Sequence, residues 1–315
     1  GGVVSYERGY GYENYADRIQ MTASESRVRW ASISKTTTGV AAVQAASRGE
    51  IDLDRDIREI YTGYELPEGA GSDWVITERR LLGHLAGVQH YDNGDSSGVP
   101  SIRKTADPET NTGMELALSY WTGNALLSQP GTQYSYSTHG FNLAGVVLEK
   151  ATGRSLWDLV AARITGPLGM TKFRPDYQWE TIPNRAVGYI EIGSAIVAGL
   201  NTDVSWKLAG GGYLSTARDM GIYCKGVMGP DFLTESEKAS LWTSQETDAG
   251  SRTGYGLGWS TSGSGVSLHV SHSGSQEKAK TYLSAYPNQG RCVGVLINSE
   301  YADPTAVGQA IEAAL

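Results

Sequence analysis

An α+β fold, with an antiparallel sheet flanked by helices and a mostly helical lobe inserted into the chain, is predicted by three features of this 315-residue sequence. The first fifty residues read as one strand and one helix. Helical patterns separated by turns then dominate as far as about residue 204, and the last third breaks into short β-rich runs before a closing helix. The expected division is a single unit over 1–315, in which 1–50 and 205–315 form a sheet lobe and 51–204 a mostly helical lobe. A cleft between such lobes is where a ligand sits.

Element by element, "VVSYER" at 3–8 predicts a strand, and 32–47 a helix closed by Gly49. "VITERRLLGHLAG" predicts a short helix capped by Thr77 and stopped by Gly87. "HGFNLAGVVLEKATG" predicts another, with Phe141, Leu143, Val146, Val147 and Leu148 as its apolar stripe and Gly153 as its terminator. After a flexible Gly210-Gly211-Gly212, Thr216 and Asp219 are spaced as a capping box for "STARDMGIYCKGVM". "YGLGWSTS", "GVSLHVSHS", "KTYLSAYP" and "RCVGVLINS" read as successive antiparallel strands, and 304–315 as the final helix. The sheet is expected to join both ends of the chain.

Composition narrows the function. The chain is 40% hydrophobic and 19% charged, which suits a packed globular protein, and its formal net charge of -8 offers no basic stripe for nucleic acid or anionic lipid. No apolar run reaches the roughly 18 residues of a membrane helix. Any targeting segment is expected upstream of Gly1. Cys224 and Cys292 lack CxxC or CxxH spacing, so neither a disulfide framework nor a structural zinc site is implied. No metal or organic cofactor is expected.

Three clusters carry the chemistry. Ser-x-x-Lys occurs at Ser32/Lys35, Ser101/Lys104 and Ser275/Lys278, but only the first opens a predicted helix. There, residues three apart share a face, and the positive amino end of the helix disfavours an ammonium, which would leave Lys35 basic enough to deprotonate Ser32. Taken alone, the pattern reads more readily as an N-cap serine with a solvated lysine. "PGTQYSYSTHG" places Tyr134, Ser135, Tyr136, Ser137 and Thr138 before a helix, where a tyrosine beside a lysine would have its phenol pKa lowered and could relay a proton. "HVSHSGS" puts His272, Ser273 and Gly274 on a strand along whose edge a substrate could lie, with the Ser275 N–H aimed at a carbonyl oxygen; His269 falls on the opposite face. No G-x-S-x-G elbow, H-E-x-x-H or phosphate loop competes, and His84 and His90 read as capping or packing residues.

In this order the clusters resemble the active site of the penicillin-recognising serine enzymes, the class C β-lactamases, D,D-peptidases and related esterases. Ser32-Ile33-Ser34-Lys35, Tyr136-Ser137-Thr138 and His272-Ser273-Gly274 are similar to their three signatures. "GEIDLDRDI", "ITERRLLGHLAGVQHY", "LAGGGYLSTARDM" and "YGLGWS" extend the likeness over most of the chain, most nearly to the serine β-lactamase-like proteins that include a mitochondrial member. The resemblance implies a β-lactamase/transpeptidase-like fold and a serine hydrolase. Ser32 would be its nucleophile, Lys35 its base and Tyr136 its proton carrier. The N–H groups of Ser32 and Ser275 would form the oxyanion hole, and His272 would position the substrate. Ser34 would be a supporting or surface residue.

Thr138 stands where many relatives have Asn, and His272 where many have Lys. Glu277 and Lys278 follow in place of small residues, and the helix and strand that usually precede "GGVVSYERGYG" are not in the sequence. A peptidase or esterase is therefore expected ahead of a β-lactamase, acting on a small peptide or ester. A non-catalytic or filament-forming scaffold of the same fold and an acyltransferase stay open as alternatives. A homo-oligomer is compatible with the sequence, and the resemblance implies a periplasmic or secreted location.

Overall fold

The computed structural model describes residues 5–91, 114–119, 121–199 and 202–314. Its largest sheet is antiparallel and four-stranded, in the order β11-β10-β9-β8, from β8 (Ser260–Ser262), β9 (His269–Gln276), β10 (Ala279–Tyr286) and β11 (Arg291–Ile297). These match the β-rich runs of the last third, although Gly265–Ser267 forms a 3-10 turn ahead of β9, β9 continues three residues past its predicted run to Gln276, and β10 begins one residue early at Ala279. β3 (Val28–Arg29), β7 (Tyr213–Ser215) and β4 (Arg174–Pro175) make a second sheet in the order β3-β7-β4, and β5 (Tyr189–Ile192) pairs with β6 (Ala195–Ala198).

The amino end departs from expectation. Ser5–Tyr10 is irregular, positions 3 and 4 lie outside the described residues, and the first strand, β1 (Tyr12–Asn14), pairs only with β2 (Ile19–Gln20). Glu7 is drawn instead into an ion pair with Arg218, which holds this stretch across a helix. Among the described residues no amino-terminal strand joins the four-stranded sheet; Asn298 Nδ2, just past β11, reaches the Tyr12 carbonyl at 3.1 Å.

The helices are α1 (Ser34–Ser47), α2 (Glu78–Leu82), α3 (Met114–Leu118), α4 (Thr138–Thr152), α5 (Leu156–Val160), α6 (Gly166–Leu168), α7 (Leu208–Gly211), α8 (Ala217–Met228), α9 (Glu235–Trp242) and α10 (Pro304–Ala314). From Ser34 to Ala45 every residue of α1 is buried, as befits a helix small or apolar nearly all round that forms the axis of the core. In α4 the predicted stripe is wholly buried, the Ser137 hydroxyl accepts the Gly140 N–H at 2.8 Å, and Gly153 ends the helix in the left-handed region. α2 begins at Thr77 as expected but stops at Gly83, because His84 takes a positive φ. At α8 only half of the capping box forms: Thr216 accepts the Asp219 N–H, while the Asp219 carboxylate accepts from the Ser215 hydroxyl and the Lys172 N–H.

The glycine triplet is not a flexible joint. Gly210 and Gly211 belong to the buried turn α7, where a Cβ on Gly210 would stand 2.6 Å from Thr138 Cγ2, so α4 and α7 approach this closely only with glycine there. The two cysteines correct the reading of the composition: Cys224 of α8 and Cys292 of β11 are joined in a disulfide, with Cα atoms 6.5 Å apart across a separation of 68 residues. Spacing could not reveal it, because the pairing depends on α8 lying against β11.

Glu78 is fully buried at the start of α2, and neither carboxylate oxygen has a partner among the described residues. Burial pushes its pKa well above the ordinary glutamate value. Because the folded pKa exceeds the unfolded one, the folded state binds the extra proton, and stability falls as pH rises from about 4.3 toward the folded value. Glu78→Met is expected to stabilise the protein by about 1–3 kcal/mol at neutral pH and to remove this decline. Urea midpoints measured across the acid-to-neutral range check it; a destabilised variant would show that the carboxyl is held by a partner.

Candidate active site

The predicted residues converge at the amino end of α1. Ala31 lies in the left-handed region with φ of 49°, a conformation that costs an L-residue about 1 kcal/mol or more. It opens the 3-10 turn Ala31–Ile33 that presents the half-buried Ser32. Its setting is fixed from two sides. Arg29 pairs with Asp176 at 2.6 Å and donates to the Glu277 carbonyl at 3.2 Å, tying β3 to the end of β9. On the other side Gly274 faces the turn: a Cβ there would lie 2.8 Å from both Ala31 Cβ and the Trp30 carbonyl oxygen, and closer still to Thr281. Glycine at 274 is thus what lets the β9 edge close on the residue before Ser32.

Lys35 is fully buried one turn along. Its Nζ donates to Ser32 Oγ at 3.2 Å, to Thr138 Oγ1 at 2.9 Å and to the Gly210 carbonyl at 2.8 Å. Burial, and next the charge of Lys207, hold its pKa well below that of an ordinary lysine. The sequence reading anticipated a basic Lys35 from the helix end; desolvation and a second lysine are the larger causes here.

Tyr136 lies against the same amine, with Lys35 Nζ 4.7 Å from its ring centroid. The expected lowering of its pKa is reversed. Burial raises it, and the Ser32 hydroxyl offsets only part of that, so the phenol keeps its proton and is a donor in its resting state. Thr138, read as a substrate contact, is buried with its hydroxyl on Lys35. Ser34, read as a supporting or surface residue, is fully buried.

His272 lies 6.3 Å from Tyr136 between ring centroids. Its Nδ1 is 2.6 Å from the Ser273 carbonyl, which can only accept, so Nδ1 carries the proton and Nε2, 2.8 Å from the Tyr255 hydroxyl, accepts from it. Burial, then Lys35, lowers its pKa to about 3, and the ring is neutral. Both nitrogens are thus engaged within the protein. Ser273 and Ser275 are exposed and Gly274 is buried between them. β8 covers β9 only at His269–Ser271, so among the described residues the edge of His272–Gln276 away from β10 has no strand beside it. His269 points the other way, to Ser284.

His84 and His90 act as caps. His84 Nδ1 accepts the Ser137 N–H at 3.0 Å and His90 Nδ1 the Thr138 N–H at 3.1 Å, together ordering the Tyr136–Thr138 turn at the head of α4. Of the other Ser-x-x-Lys matches, Ser101/Lys104 lies outside the described residues, and Ser275/Lys278 straddles the β9–β10 turn. Sequence reasoning missed Tyr255, although "YGLGWS" had been noted, and Lys207, whose Nζ donates to the Tyr91 hydroxyl at 3.0 Å. Among the described residues no group of three or more His, Cys, Asp or Glu could hold a metal, and no helix is long and apolar enough to cross a membrane.

The family described as Beta-lactamase matches residues 1–315. The chain belongs to the beta-lactamase family. It is 24% identical over 309 residues to "Protein flp" of Staphylococcus aureus (strain MRSA252), covering 95% of this chain and 58% of that protein. It is 25% identical over 281 residues to the mitochondrial serine beta-lactamase-like protein LACTB of Mus musculus, covering 70% of this chain and 51% of that one. The chain thus spans little more than half the length of these relatives. Among solved structures it is similar to the octameric penicillin-binding protein homologue from Pyrococcus abyssi, with a TM-score of 0.80, 23% identity and coverage of 99% and 70% of the two chains. It is also similar to a D-stereospecific amidohydrolase from Streptomyces sp., with a TM-score of 0.74, 22% identity and coverage of 92% and 86%. The α+β architecture of this family is therefore that of the present chain.

Proposed function

We propose that this chain is a serine hydrolase that forms an acyl-enzyme on Ser32 and acts on a small peptide, amide or ester. The observation that carries the reading is a fully buried Lys35 amine 3.2 Å from the Ser32 hydroxyl, with its pKa held down by its surroundings. Neutral Lys35 takes the hydroxyl proton as Ser32 Oγ attacks the acyl carbon. The oxyanion forms against the N–H groups of Ser32 and Ser275. Tyr136 gives its proton to the leaving group and regains one from the Lys35 ammonium. Water then attacks the acyl-enzyme by the reverse route, returning the proton to Ser32. His272 acts at one remove, fixing the Tyr255 hydroxyl and the Ser273 carbonyl beside the β9 edge.

The similarity to a D-stereospecific amidohydrolase and to a D-amino acid amidase from Ochrobactrum anthropi supports acyl groups of the D-amino acid class. Thr138 and His272 in place of Asn and Lys weigh against β-lactam turnover. Rates on a p-nitrophenyl ester, a D-aminoacyl amide, a D-Ala-D-Ala peptide and a cephalosporin, measured side by side, test the reading. The ester or a D-configured substrate is expected to be fastest. A much faster cephalosporin would reverse the substrate ranking, and no turnover or adduct across the panel would remove the hydrolase.

Tyr136→Phe separates the roles further. Loss of a leaving-group proton donor is expected to lower kcat/KM on an amide by about 10²–10⁴-fold, and by much less on a p-nitrophenyl ester, whose leaving group needs no proton. Equal losses on both substrates would assign Tyr136 to packing.

A further inference from the structure

Tyr134 stands two residues before the proposed proton donor and has no part in the chemistry above. Its ring meets that of His84 edge-on at 5.7 Å between centroids and that of Tyr255 at 6.0 Å. His84 also contacts Tyr136, at 4.4 Å, and Tyr255 contacts His272, at 5.8 Å, so these rings form one cluster beside the reacting groups. His84, Tyr255 and His272 are buried and Tyr136 is half-buried, whereas Tyr134 is 41% exposed. Its position is nevertheless fixed by the backbone. The Ser135 N–H donates to the His84 carbonyl at 2.8 Å and the Ser137 N–H to His84 Nδ1 at 3.0 Å, which pins the stretch carrying both tyrosines.

We infer that Tyr134 is a specificity-determining residue, its exposed ring forming one wall of a subsite for an uncharged aromatic leaving group. This role depends on Ser32 and Tyr136 acting as proposed above. With the oxyanion held at the Ser32 and Ser275 N–H groups and the leaving group protonated by Tyr136, the departing amine or alcohol lies on the Tyr136 side. A group leaving past that phenol reaches the tyrosine that shares the His84 ring with it, and this is Tyr134. A fixed, exposed phenol ring takes up a second aromatic ring by offset or edge-on stacking and gives up little conformational freedom in doing so. The imidazoles of the cluster are neutral: burial, and next Lys35, push His84 well below the ordinary histidine value and His272 to about 3. Neither attracts a carboxylate on the leaving group, which counts against the free D-amino acid that a D-Ala-D-Ala peptide would release.

Two amides with one acyl group, D-phenylalanine benzylamide and D-phenylalanine propylamide, test the role, because they differ only in the amine that leaves. Wild type is expected to prefer the benzylamide in kcat/KM. Tyr134→Ala is expected to lower the benzylamide-to-propylamide ratio about five- to tenfold, and Tyr134→Phe to keep it. Decay of the D-phenylalanyl-Ser32 adduct formed from an activated ester is expected to change by less than about twofold in Tyr134→Ala, since the leaving group has already gone. Equal losses on both amides together with slower decay would assign Tyr134 to packing and overturn the role. So would wild-type turnover without a benzylamide preference, a preference that survives Tyr134→Ala, or faster turnover of D-phenylalanyl-D-alanine than of the benzylamide; each of these leaves the hydrolase standing. No adduct on Ser32 from any of these substrates would remove the hydrolase and this role with it.

Discussion

Ser32→Ala is expected to abolish turnover, with a loss on the order of 10⁵–10⁶ in kcat on any substrate the wild type hydrolyses. The size follows from where the hydroxyl sits. The amine and the phenol that are to manage its proton are both set against it, and without Oγ neither has a nucleophile to serve. The fold is expected to be untouched, since Ser32 is half-buried and the turn holding it is secured by Ala31, Gly274 and the Arg29–Asp176 pair. Circular dichroism and a thermal midpoint equal to wild type would show that the loss is chemical. Substantial residual turnover by a folded Ser32→Ala protein would place the nucleophile elsewhere.

Lys35→Met is expected to lower kcat/KM by about 10²–10⁴-fold and to change its pH dependence. With the folded pKa of Lys35 held below the ordinary lysine value, kcat/KM in the wild type rises with pH as this amine loses its proton. Stability moves in the same direction: the folded state binds fewer protons than the unfolded one between the folded pKa and about 10.4, so unfolding becomes harder as pH rises through that window. Both trends disappear in Lys35→Met. Methionine fills the volume without an unpaired buried amine, so the variant is expected to fold, leaving Thr138 Oγ1 and the Gly210 carbonyl without their donor. Pre-steady-state acylation rates against pH for the two proteins check this. An acid limb that survives Lys35→Met would assign the ionisation to another group.

What the sequence disclosed and what it hid have separate physical causes. α1, α4 and the strands of the last third were legible because each carries its own periodicity and its own stop signals, such as Gly49 after α1 and Gly153 after α4. The convergence of Ser32, Lys35, Tyr136 and the 272–274 edge was legible through resemblance, since nothing local brings residue 136 to residue 32. The misreadings concern long-range environment. A lowered Tyr136 pKa was inferred from the neighbouring lysine alone, whereas burial prevails. The Cys224–Cys292 pairing, the engagement of Thr138 with Lys35 and the link from Tyr255 to His272 all depend on which elements pack together. Of the run predicted as a strand at 3–8, the described residues Ser5–Arg8 find no ladder partner, and Glu7 turns to Arg218.

The most direct test is intact-protein and peptide mass spectrometry of the chain reacted with an activated ester over a range of pH. One acyl mass is expected, confined to the peptide that contains Ser32, forming faster as pH rises through an ionisation below the ordinary lysine range, and absent from Ser32→Ala. Equal labelling of wild type and Ser32→Ala, or an adduct on any other residue, would contradict the account.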